Sequence, residues 1–155
     1  MIGVETIIES EGWRRDLSDP ERLAARVFEA ARTREPRLNG AVALLLTDDK
    51  AVRALNARFR GKDEATNVLS FPSGEAAPGF LGDLALGYET CAREAREKGV
   101  RLADHAAHLI AHGLLHLVGY DHMDDADADV MERTEAEILD RLGVSNPYEA
   151  EETIE

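Results

Sequence analysis

The chain has 155 residues, 44% of them hydrophobic, and a formal net charge of −13, which suits one domain around one core. No apolar run approaches a membrane span, the longest candidate being Ala41–Leu46, and Met1–Ser10 carries Glu5 and Glu9 where a secretory signal would be apolar. The single cysteine, Cys91, excludes an internal disulfide, reads as a small packed residue and fits a cytoplasmic protein with no membrane partner.

Val4–Glu9 is short and β-branched and predicts a first strand. Ser18-Asp19-Pro20-Glu21 predicts a helix start, with a capping oxygen, a proline in the first turn and an early acid; Leu23, Val27, Ala30 and Ala31 continue it. Ala41–Thr47 is a continuous apolar run, expected as a strand buried on both faces. Asp48 or Asp49 caps the next helix, in which Val52, Leu55 and Phe59 share a face. Asn67–Phe71 and Gly82–Gly87 read as two further strands around the Ser73–Gly79 loop. Tyr88–Lys98 is a helix ended by Gly99, Leu102–Val118 a second helix, and Asp124–Leu142 a third with Val130, Ile138, Leu139 and Leu142 buried. This order predicts an α+β fold, a small mixed sheet of about four strands packed with helices. Residues 1–146 form the domain and residues 147–155 an acidic, frayed tail.

The helix over residues 102–118 holds four of the five histidines. At roughly 100° per residue, His105, His108, His112 and His116 fall within about 80° of one another. His112 and His116 are one turn apart and suited to one metal ion, while Gly119 lets the chain turn back so that His122 supplies a third nitrogen. Three imidazoles with one open position describe a catalytic zinc. The spacing is that of metzincin peptidases, but Gly113 stands where those enzymes carry a general-base glutamate, so peptide hydrolysis lacks its proton acceptor. His105 and His108 share the ligand face, with either a supporting or a packing role. Asp121 and Asp124 read as helix caps or solvated acids rather than as partners of the ligand imidazoles.

The acidity concentrates at one end. Residues 121–155 hold 13 acids and 2 bases, whereas residues 1–120 hold 18 and 16. The nearly neutral body leaves room for a polyanionic partner, and Arg53, Arg58, Arg60 and Lys62 cluster within it. From the residues alone, Arg60 caps a helix or pairs with Asp63.

Four separated segments carry a family resemblance: Leu55-Asn56-x-x-Phe59-Arg60-Gly61-Lys62-Asp63, Thr66-Asn67-Val68-Leu69-Ser70-Phe71-Pro72, Leu81-Gly82-Asp83-Leu84, and His108-x-x-x-His112-Gly-x-Leu-His116-Leu-x-Gly119-Tyr120-Asp121-His122. On these the chain resembles the YbeY family of bacterial rRNA-maturation endoribonucleases. The resemblance implies one zinc ion at His112, His116 and His122, with Arg60 as a catalytic residue beside it. It also implies a single-strand-specific endoribonuclease of 16S rRNA 3′-end maturation and ribosome quality control. RNA precursors, ribosomal proteins and the small ribosomal subunit are the expected partners. Metal-activated water and metal-assisted 2′-OH attack are both open as routes. The alternatives are a non-catalytic, zinc-containing ribosome-assembly factor and a metallohydrolase of another substrate class.

Overall fold

The computed structural model describes residues 1–74, 77–121 and 123–148. Its elements are β1 (Gly3–Ile8), α1 (Glu11–Asp16), α2 (Pro20–Arg34), β2 (Ala41–Thr47), α3 (Asp49–Arg60), β3 (Val68–Pro72), β4 (Phe80–Gly87), α4 (Tyr88–Lys98), α5 (Leu102–Leu117) and α6 (Asp125–Arg141). The caps fall where the sequence puts them. The Asp19 carboxylate accepts from the backbone N–H of Arg22 at 3.1 Å, Asp48 from that of Ala51 and Asp124 from that of Asp127, both at 2.8 Å. Gly61 ends α3 in the left-handed conformation (φ 69°), so the turn comes one residue after Arg60.

The sheet has the order β1-β2-β4-β3, with β1, β2 and β4 parallel and β3 antiparallel on the edge. This is the expected mixed four-strand α+β fold. Val42, Leu44 and Leu46 of β2 and Leu84 and Leu86 of β4 point into the main core on the side covered by α2 and α5, with α6 packed on those two helices. Nearly every side of α5 is buried, which follows from its run of Ala, Leu and Ile around the histidine stripe.

Three expectations change. A short helix, α1, precedes α2; it carries no apolar repeat and is held by Trp13, fully buried with its indole N–H donating to the Thr47 carbonyl at 2.9 Å. The second face of β2 is only partly covered: α3 packs Val52 and Leu55 against Leu69 and Ala85, while Ala43 and Leu45 stay half-buried. In α6 the buried stripe is Met131, Thr134, Glu135, Ile138 and Leu139, and Val130 is exposed. Ile138 and Leu139 are buried as expected and Leu142 is half-buried, so Val130 alone departs from the face read in the sequence, and a carboxylate takes a core position. Tyr148, in the segment assigned to the tail, reaches this stripe by donating its hydroxyl to Glu135 at 2.7 Å. Residues 149–155 lie outside the described residues.

Candidate active site

α5 aims its histidines along one line, each with a defined partner. His105 is buried beside Glu94, its Nε2 2.8 Å from the carboxylate. Burial pushes the His105 ring below its ordinary value. Burial works against the Glu94 charge, yet hydrogen bonds from His105 and Asn67 hold its carboxyl below the usual range. His108 is buried and donates from Nε2 to Glu135 Oε1 at 2.8 Å, with the Tyr148 hydroxyl 3.1 Å away. His112 lies 2.8 Å from the other Glu135 oxygen through Nδ1. His116 Nδ1 meets the Tyr120 carbonyl at 2.9 Å.

These contacts set the tautomers. Glu135 is fully buried. Burial opposes its charge, but hydrogen bonds from His108 and His112 outweigh that and hold its carboxyl down at about 2. An ionised carboxylate and a backbone carbonyl only accept, so both Nδ1 atoms donate and both rings turn Nε2 toward one another. The two Nε2 atoms are 3.0 Å apart. A contact of that length is held by a shared proton or by a cation between the two nitrogens. Two nitrogens on one tetrahedral zinc are about 3.3 Å apart, given bonds of roughly 2.0–2.1 Å. The donor set therefore fits a divalent ion, with hydrogen-bonded Nδ1 atoms of the kind that accompany metal-bound imidazoles. Among the described residues no three His, Cys, Asp or Glu side chains converge on one point. The third expected ligand, His122, lies outside the described residues.

The turn after α5 builds half of this arrangement. Gly119 has φ 101°, a conformation that disfavours a side chain. It brings the Tyr120 carbonyl back onto His116. The Tyr120 hydroxyl donates to Glu35 at 2.9 Å, and Arg37 lies over the Tyr120 ring, so the turn is tied to the end of α2. Gly113 has its own constraint. A Cβ there would sit 2.8 Å from a Leu84 methyl and 3.3 Å from the Ser70 hydroxyl. The position that bears a base in metallopeptidases is pressed against the sheet, where a side chain would have to displace the Leu84 methyls.

His112 and His116 open into a cleft of about 640 Å³ that is also lined by Arg60, Ser70 and Asp121. Arg60 reaches it from the last turn of α3. Its guanidinium donates to the Ser70 carbonyl on edge strand β3 at 2.7 Å and lies over the Phe71 ring. Asp63 pairs instead with Arg53, at 2.7 Å. The structure thus brings Arg60, His112 and His116 to one cleft.

Glu135, Tyr148 and the Glu94–His105 pair were not anticipated from the sequence. A signal for Glu135 existed: it is the acid within the Met131–Glu135–Leu139 stripe of an amphipathic helix. Tyr148 and Glu94 carry no comparable local mark.

Comparison with known proteins adds independent observations. The family model described as "Endoribonuclease YbeY" matches residues 7–143. An "Endoribonuclease YbeY" of Maricaulis maris is 48% identical over 153 residues, covering 98% of this chain and 95% of that one. One from Rhodopseudomonas palustris strain BisB5 is 45% identical over 157 residues, covering 93% and 80%. The solution structure of TM1509 from Thermotoga maritima superposes with a TM-score of 0.59 at 23% identity, over 90% of this chain and 91% of that one, which shows a shared fold.

Proposed function

The chain belongs to the YbeY endoribonuclease family, and from that premise we propose that it is a metal-dependent, single-strand-specific endoribonuclease acting in the cytoplasm on ribosomal RNA precursors, with 16S rRNA 3′-end maturation and ribosome quality control as its setting. One observation carries this reading: the two Nε2 atoms, 3.0 Å apart, share a cleft with the Arg60 guanidinium. Zinc is the ion proposed, held by His112 and His116 together with His122. When bound, it supplies Lewis acidity that stabilises charge building on the phosphorus oxygens.

The chain's own residues do the rest. Arg60 presents a fork-shaped donor, and its Ser70 carbonyl anchor fixes the plane in which a non-bridging phosphate oxygen is received. Among the described residues no carboxylate pairs with Arg60, so its charge is available to the substrate. A preset donor of this kind strengthens its hold as negative charge grows, and so favours the transition state over bound substrate. Glu135 and the Tyr120 carbonyl keep both imidazoles in one tautomer and orientation. The packing of Gly113 argues against a peptidase carboxylate, which leaves phosphodiesters as the substrate the cleft suits best.

The test is cleavage of single-stranded RNA and of casein by the purified protein, with and without a chelator. Chelator-sensitive RNA cleavage that His112→Ala abolishes supports the reading. Chelator-sensitive proteolysis with intact RNA overturns it. A His116→Ala protein that unfolds, beside a wild type that leaves RNA intact, favours an ion that only holds the fold.

A further inference from the structure

Phe59 is the aromatic residue among the exposed large apolar side chains of the described chain, at 58% exposure, with Ile7 across from it at 49%. It stands on the sheet face that α3 leaves half covered. There, Ile7, Leu45, Leu55, Phe59, Phe71 and Asp83 line an open groove of about 420 Å³. Phe59 and Phe71 meet edge to face, with centroids 5.6 Å apart. Arg58 lies 5.1 Å from the Phe59 centroid and Arg60 5.6 Å from that of Phe71. In a chain of net charge −13, two arginines interleaved with two phenylalanines make a local patch of the opposite character. An exposed aromatic ring beside cations is the composition of a single-stranded nucleic-acid platform.

The groove and the candidate active site share no lining residue and lie on opposite faces of the sheet, meeting at the β3 edge. Successive residues of β3 face opposite sides of the sheet: Ser70 lines the histidine cleft and Phe71 lines the groove. Arg60 bridges them, hydrogen-bonded to the Ser70 carbonyl and lying over the Phe71 ring. A strand whose phosphate rests on Arg60 and that passes around the β3 edge can place its neighbouring nucleoside beside Phe59.

We propose that this groove is a nucleobase subsite, in which an unpaired base next to the scissile phosphate stacks on Phe59, Asp83 accepts a hydrogen bond from the base's N–H groups, and Arg58 turns to the adjoining phosphate. The proposal rests on the endoribonuclease reading and specifies how substrate is gripped. The contact of Arg58 with Phe59 is an exposed cation–π pair, weaker than base stacking, so a base displaces it and releases the guanidinium. A base within a duplex has both faces covered by its neighbours, so the groove selects single strands.

The experiment is fluorescence anisotropy with a short labelled single-stranded 2′-O-methyl oligoribonucleotide, compared with the same backbone carrying abasic positions. Wild type is expected to prefer the base-containing strand. Phe59→Ala should weaken that strand's binding about tenfold and leave the abasic strand unchanged. Phe59→Trp should restore binding, with its indole emission quenched on binding; Trp13, being buried, adds a constant background. Phe59→Leu keeps apolar area without a π face and should behave as the alanine variant does. Phe59→Ala or Phe59→Leu binding the base-containing strand as tightly as wild type overturns the subsite while leaving the endoribonuclease reading standing. Wild type that binds both strands alike, or neither, also overturns the subsite, while the endoribonuclease reading is decided separately by the cleavage assay.

Discussion

Glu135 Oε2 lies 2.8 Å from His112 Nδ1, while the other oxygen of the same carboxylate takes His108 at 2.8 Å. One fully buried acid of α6 thereby determines the orientation and the tautomer of a histidine 23 residues earlier. In Glu135→Gln the amide at this position can donate to His112 Nδ1, moving the proton to Nε2 and removing the lone pair that a metal needs. Zinc affinity should fall about 10- to 100-fold, read by competition with a chromophoric chelator. Imidazole 15N shifts of the zinc-free protein should report the tautomer change directly. Unchanged shifts and unchanged affinity would remove Glu135 from the site.

Arg60→Ala should reduce RNA cleavage roughly 10²- to 10³-fold, the usual cost of losing one preset donor to a developing oxyanion. Zinc content and melting temperature should stay close to wild type, because Arg60 lies outside both hydrophobic clusters. Arg60→Lys should rescue little, since an ammonium lacks the fork that spans the Ser70 carbonyl and a phosphate oxygen. Normal cleavage by Arg60→Ala sinks the role.

Gly113→Glu should destabilise the protein without creating a peptidase. Its Cβ alone would meet a Leu84 methyl at 2.8 Å. Overpacking of that kind costs about 1–3 kcal/mol, and enclosing a carboxylate adds to it. A lower thermal midpoint with no casein hydrolysis is expected. A variant as stable as wild type that digests casein would show that the helix accepts a metallopeptidase base.

Acid should loosen the turn that orients His116. The Arg37 guanidinium, aided by the Tyr120 hydroxyl and against burial, holds the Glu35 carboxyl down at about 2. The folded value is below the unfolded one of about 4.3, so this contribution is fully present above that pH and fades as pH falls toward 2. It is worth on the order of 2 kcal/mol, since Arg37 is largely exposed and screened. Urea midpoints for wild type and Glu35→Gln should differ most near neutrality and converge at low pH. Parallel curves over the whole range would refute the assignment.

Neighbours within a few residues settle part of this fold before any layers pack. The cap of α2 at Asp19, the turn at Gly119 and the alignment of His112 with His116 are local outcomes, governed by backbone conformation and by the 3.6-residue period. Those signals were legible, and the motif strings around Arg60 and the histidines pointed to the family. Whatever depends on which faces meet is fixed only by long-range packing. Val130 is exposed and Glu135 buried because α6 packs between α2 and α5 on the stripe that holds Met131, Glu135, Ile138 and Leu139. The Tyr120–Glu35 bond spans 85 residues, and the half-covered face of β2 reflects how little of the sheet a 12-residue α3 can shield. Periodicity names the face that an element buries, but the partner waiting there is settled only when the layers pack.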